Sequence, residues 1–183
     1  MKVIILSIAG DTVESYFLKW NSKLIMFYEK GYNKIRKLEA KEAKGFTVKR
    51  GKKTESYNQI EYTVKVGFFD SKRTITQFCK PEIEGKIVLY KTEFSVSSSG
   101  YMNANGVMTG GGSQIYPVYV FVVDGETYTL RYQPLESKEK VLRDLEAVFS
   151  DYSELYNRIS KTGITKRDIP GLVREYNEHF KSE

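Results

Sequence analysis

The sequence predicts an α+β protein: an antiparallel β-rich body, a meander closing toward a partly open barrel or a sandwich, followed by a C-terminal three-helix segment packed on it. Three observations predict this. The 183 residues include 14 Tyr and 10 Phe, rings that suit a pleated, half-buried surface. Tight-turn dipeptides (Gly10-Asp11, Asn21-Ser22, Asp124-Gly125) separate apolar runs through residues 1–133, and such turns need residues that tolerate positive φ. After Pro134 the spacing of apolar residues changes from alternation to a helical period. The predicted division is a β domain at 1–135 and a helical segment at 136–183.

Taken in order, Val3–Ile8, Thr12–Trp20 and Lys23–Tyr28 read as a three-stranded meander. Lys34–Leu38 and Phe46–Val48 are shorter strands, and Glu39–Lys44 reads as one helical turn ended by Gly45. Ser56–Val66 is a strand with Ile60, Tyr62, Val64 and Val66 on one face and Glu61, Thr63 and Lys65 on the other. Thr74–Cys79 and Lys86–Phe94 are further strands, parted by Pro81. Residues 97–114 (SSSGYMNANGVMTGGGSQ) are rich in Gly, Ser and Asn and carry no charge, which predicts a long flexible loop. Val118–Val123 and Glu126–Gln133 around Asp124-Gly125 form the strongest hairpin signal, and Pro117 is restricted to a strand start or an edge.

In the tail, Ser137 is placed to cap a helix whose apolar face is Val141, Leu142, Leu145, Val148 and Phe149. Asp151 and Glu154 have capping-box spacing for a second helix, with Leu155, Tyr156 and Ile159 inward and Gly163 as its stop. A third helix starts near Asp168 with Pro170 in its first turn, and Ile169, Leu172, Val173, Tyr176 and Phe180 make its stripe.

Charge is unevenly distributed. The net charge is +6, yet residues 1–80 hold 17 Lys and Arg against 8 Asp and Glu, while residues 81–183 hold 12 against 15. The densest basic stretch runs from Lys30 to Lys53. Within it Lys49, Arg50, Lys52 and Lys53, with Lys37, are the candidate contacts for a polyanion: anionic lipid, glycan or nucleic acid. A solvated basic edge that blunts strand pairing is the other reading of the same block. Only Tyr32 and Phe46 are aromatic between Lys30 and Lys53, so sequence-specific nucleic-acid recognition is weakly supported and non-specific electrostatic contact is the expected mode.

The inventory of reactive groups is short. One His and one Cys, His179 and Cys79, cannot make a usual zinc shell, and no intrachain disulfide is possible. His179 lies near the end of the last helix and reads as solvent-facing, and Cys79 sits in an apolar run and reads as a buried inert thiol. Gly110-Gly111-Gly112-Ser113 lacks the lysine and the following helix of a phosphate-binding loop. Glu82 and Glu84 share one face of a strand; in a cleft such a pair could hydrolyse glycosides, and beside Pro81 it reads as two solvated residues. No catalytic residue, metal or cofactor is expected. No apolar stretch reaches the roughly 18 residues that cross a bilayer as a helix, and Met1–Gly10 reads as a first strand rather than a signal peptide.

Several ordered motifs carry a resemblance. They are Ile5-Leu6-Ser7-Ile8-Ala9-Gly10-Asp11-Thr12-Val13, Glu42-Ala43-Lys44-Gly45-Phe46 and Gly85-Lys86-Ile87-Val88-Leu89-Tyr90. The tail adds Phe149-Ser150-Asp151 through Leu155, Ile159, Asp168-Ile169 and Val173 to Tyr176-Asn177. In that order the chain resembles an uncharacterised family of secreted or cell-envelope proteins from Bacteroidetes-type bacteria. The resemblance implies an extracytoplasmic location, in the periplasm or cell envelope, with a signal peptide absent from this chain. It implies no activity, cofactor or catalytic residue. The single cysteine is equally compatible with the cytoplasm. The function expected is non-enzymatic: binding an envelope macromolecule or packing within an assembly. A polyanion-binding module is the alternative, and a hydrolase with an acidic pair a third reading.

Overall fold

A computed structural model describes residues 2–7, 10, 12–28, 34–66, 71–98, 101–102, 104, 108–131, 138–165 and 167–181. Strands β1 (Lys2–Ser7), β2 (Thr12–Trp20), β3 (Leu24–Tyr28) and β4 (Ile35–Glu39) form the meander, and a 3₁₀ turn at Ala40–Glu42 leads to β5 (Ala43–Arg50), β6 (Lys53–Val66) and β7 (Ser71–Cys79). These seven make one antiparallel sheet in the order β4-β3-β2-β1-β5-β6-β7. The sheet curls into a half-barrel. The Phe78 N–H on β7 donates to the Ser22 carbonyl at the β2–β3 turn (2.7 Å), and the Ala40 N–H donates to the Lys23 carbonyl (2.8 Å).

A second sheet, in the order β13-β12-β9-β8, comprises β8 (Pro81–Ile83), β9 (Ile87–Ser98), β12 (Gly112–Val123) and β13 (Glu126–Arg131). Two short strands, β10 (Tyr101–Met102) and β11 (Met108–Thr109), pair with each other, and helices α1 (Lys138–Phe149), α2 (Ser153–Thr162) and α3 (Ile169–His179) close the chain.

Strand alternation stacks three cores. Inside the half-barrel, Val3, Ile5, Ile25, Phe27, Phe46, Val48, Tyr57 and Phe78 are buried with one another. The next residues along β6 and β7 face the other way: Ile60, Tyr62, Val64 and Cys79 pack on Tyr90, Phe94, Val118 and Val120 of the second sheet. The alternate residues of β9 and β12, Ile87, Leu89, Tyr119 and Phe121, pack under the helices on Leu145, Phe149, Leu155, Ile159, Val173 and Tyr176. Over Ile87–Tyr90 and Val118–Phe121, β9 and β12 are therefore packed on both faces, which explains their β-branched and aromatic runs. The helices dock on the sheet as expected, because stripes of this length need a partner surface.

Several expectations need correction. Residues 97–114 do not form a loop throughout. The β9–β12 ladder extends through Gly112↔Ser98, Ser113↔Ser97 and Gln114↔Val96, because backbone hydrogen bonds continue a hairpin whatever its side chains; Gly110 and Gly111 take φ of 72° and 89° beside it. Gly45 ends no helix. It lies within β5, where a Cβ would sit 2.5 Å from the Tyr57 carbonyl oxygen, so only glycine lets β6 approach. Pro81 does not merely separate strands but begins β8, on the edge of the second sheet, where a missing N–H costs little. Pro117 sits neither at a strand start nor outside the ladder: it lies mid-strand in β12, opposite Glu93 of β9. Asp151 and Glu154 make no capping box: the residue before α2 is Tyr152, with no side-chain cap. The Asp151 carboxylate instead accepts from the Tyr176 hydroxyl (2.6 Å) and pairs with Lys86 (3.3 Å). The Asp124-Gly125 turn has φ of 49° and 85°, as the hairpin signal requires. Ser137 lies outside the described residues.

Burial sets an alkaline limit on stability. The Tyr62 phenol, 2% exposed, is pushed up from about 10 to about 12, chiefly by desolvation, and burial also raises Tyr90. A raised folded-state value means that the unfolded chain loses its proton first. This stabilisation is therefore fully present below about pH 10 and is lost as pH rises toward 12. Urea midpoints measured from pH 8 to 12 should hold steady and then fall above about 10, and Tyr62→Phe should flatten the fall. A Tyr62→Phe variant that declines as steeply as the parent would contradict this.

Candidate functional site

The basic residues singled out from sequence are placed by the β5–β6 hairpin. Its ladder ends with Lys49↔Thr54 and Arg50↔Lys53, and Gly51 supplies the turn with φ of 59°. Lys49, Arg50, Lys52 and Lys53 therefore share one exposed tip. Alternation directs Arg50 and Lys53 to the side of Val48 and Glu55 and Lys49 to the outer, convex side, with Lys52 at the turn. Arg50 and Lys53 are directly opposite each other, an arrangement that disfavours the hairpin. Arg50 also acts on Glu55, whose carboxyl is held below its usual value mainly by Lys80, 2.9 Å away. Among the described residues, no ion pair engages Lys49, Lys52 or Lys53.

Lys37 is not part of the tip. It lies on β4, the far edge of the seven-stranded sheet, four strand spacings from β5 or roughly 19 Å across the surface. The structure thus gathers four of the five predicted residues and separates the fifth, which lies beyond the reach of the hairpin by strand order.

The outer face also carries residues that local sequence did not connect with the basic block. Reading across the strands at one level, the register runs Thr54, Lys49, Lys2, Tyr16, Tyr28, Ile35. All six are exposed; Tyr16 is 65%, Ile35 47% and Tyr28 39% exposed. Lys2 also contacts Glu14 at 2.7 Å. Alternation along β2 (Val13, Ser15) and β3 (Ile25, Phe27) hinted that Tyr16 and Tyr28 face outward, but only strand pairing brings them beside Lys2 and Lys49.

Gln77, buried between the sheets, donates from Nε2 to the Tyr62 hydroxyl (3.0 Å) and to Thr92 Oγ1 (2.5 Å). Cys79 beside it is buried, and desolvation pushes its thiol up, which keeps it protonated and a poor nucleophile. His179 is exposed and lies flat on Tyr152, ring centroids 4.0 Å apart and planes 7° apart. Glu82 and Glu84 are both exposed on and after the edge strand β8. Two open depressions, of about 570 and 350 Å³, are lined respectively by Ser22, Lys91, Thr92, Glu93, Ser95 and Ile115, and by Lys23, Leu24, Glu39, Ala40, Lys41 and Thr76. Among the described residues, neither is lined by a His, a Cys or an acid pair. Among the described residues, no three His, Cys, Asp or Glu side chains are grouped to hold a metal ion, and no helix is long and apolar enough to cross a membrane.

Comparison with known proteins finds no protein family, no curated protein and no solved structure that matches this chain.

Proposed function

We propose that this protein works by binding, and that its ligand is a polyanion engaged through the tip of the β5–β6 hairpin. The observation that carries the reading is the convergence of Lys49, Arg50, Lys52 and Lys53 on one exposed turn, with Arg50 and Lys53 face to face. Like charges opposed across a ladder weaken a hairpin, so this tip is costly to the fold and favourable to an anion. Lysines without a carboxylate partner can exchange their counterions for ligand phosphates or sulfates, a contact that weakens steeply with salt. The binding is placed outside the cytoplasm, in the periplasm or cell envelope, on the strength of the sequence resemblance; recovery of the native protein in the cytosolic fraction of its cells would remove that placement.

The test uses heparin, phosphatidylglycerol vesicles and DNA as probes. The wild-type chain should bind at low salt and release as salt rises. Lys52→Glu with Lys53→Glu should weaken binding about tenfold or more. Equal affinity of parent and variant for all three probes would end the proposal, since both positions are exposed and the fold should survive the exchange.

A further inference from the structure

Resting on the reading of the hairpin tip as a polyanion contact, the geometry points to single-stranded nucleic acid as the class of polyanion, with Tyr16 and Tyr28 as the platform on which its bases stack. Electrostatic contact alone does not distinguish a nucleic acid from a lipid surface or a sulfated glycan. What distinguishes them is an aromatic face set beside the charge.

Tyr16 and Tyr28 are cross-strand neighbours on β2 and β3, so both side chains leave the same face of the sheet, with their Cβ atoms about 5 Å apart. Tyr16 is 65% exposed and Tyr28 39%. Neither ring belongs to any of the three cores, so burial in the folded chain does not account for them. Ile35 continues the same level on β4, 47% exposed. On the other flank the level continues into Lys2 and Lys49, and from Lys49 the chain turns into Arg50, Lys52 and Lys53. A strand laid across the sheet would place its phosphates over Lys49 and, at the turn, Lys52, and its bases over the tyrosines. This is the combination that single-strand binders use: a basic track with open rings on a sheet surface, tolerant of sequence because every base has a π-face. Glu14 sets a limit. Its contact with Lys2 puts one carboxylate next to the track, so Lys49 rather than Lys2 is the phosphate contact nearest the rings.

The experiment compares two probes, fluorescein-labelled oligothymidylate of about 15 nucleotides and inorganic polyphosphate of similar charge, which has no bases. Tyr16→Ala with Tyr28→Ala should lose roughly tenfold or more in affinity for oligothymidylate per ring removed and keep its affinity for polyphosphate. Tyr16→Phe with Tyr28→Phe, which keeps both rings, should bind oligothymidylate as the parent does. The inference is overturned if the alanine variant binds oligothymidylate with parental affinity, or if it loses both probes equally. It is also overturned if the parent binds heparin in a tyrosine-dependent way and ignores oligothymidylate, because the rings would then serve sugars. Failure of the underlying charge reading looks different: Lys52→Glu with Lys53→Glu would leave polyphosphate binding unchanged.

Discussion

Replacing Asn177 with alanine should destabilise the protein by about 2–6 kcal/mol, from two buried backbone groups left without partners at roughly 1–3 kcal/mol each. Asn177 lies on α3 and is 5% exposed. Its Oδ1 accepts from the Ile87 N–H (2.8 Å) and its Nδ2 donates to the Ile87 carbonyl (2.9 Å). The reason lies in sheet topology. On one side Ile87 pairs with Val123 of β12. On the other, the β8 ladder ends at Ile83↔Leu89, so nothing in the sheet would satisfy the outer edge of Ile87. The asparagine amide does what a strand would do there, and it ties the last helix to the second sheet. Gly85 makes the fit possible, since a Cβ at that position would overlap the Asn177 amide. In thermal unfolding Asn177→Ala should lower Tm by on the order of 10 °C. Asn177→Asp should be nearly as damaging, because a carboxylate accepts from the N–H but cannot donate to the carbonyl. A Tm within about a degree of the parent for Asn177→Ala would show that the pair contributes little.

Phe149→Ala should cost about 3–5 kcal/mol. Phe149 is fully buried and stands where three elements meet. Its ring is 6.2 Å from Phe121 of β12, near-perpendicular, and 5.7 Å from Tyr176 of α3. Truncation removes transfer energy and leaves a cavity lined by a strand on one side and a helix on the other, which cannot both collapse into it. The helices should loosen first, since the Phe149 ring belongs to the core that packs them on the sheet. Limited proteolysis of Phe149→Ala should cut within 138–181 before the β-sheets, and urea unfolding should show the loss. Parental urea stability would contradict the assignment of this ring as the keystone of the third core.

Much of this architecture is legible in local pattern. Ile60, Tyr62 and Val64 alternate with Glu61 and Thr63 and do face a core. The Asp124-Gly125 turn and the stripes of α1 and α3 follow from residues within a few positions of one another. What local pattern misses depends on pairing between distant segments. Asn177 reads as one more polar helix residue, and its partner is ninety residues away. The glycine-rich segment reads as a loop by composition, while its strands are held by a backbone ladder that composition does not report. The basic tip was legible as a charged block, and the hairpin brings four of its residues together. The aromatic face beside it was not, because Tyr16 and Tyr28 become neighbours of Lys2 and Lys49 only through the registers of β1, β2, β3 and β5.

The most direct measurement of the central claim is a map of backbone amide NMR shifts during titration of the ¹⁵N-labelled protein with inorganic polyphosphate at low salt. The largest saturable changes should fall on Lys49 to Thr54, spread along the outer face toward Lys2, and vanish as salt is added. Changes centred on the helices or on β8 and β9, or no saturable change anywhere, would contradict the account.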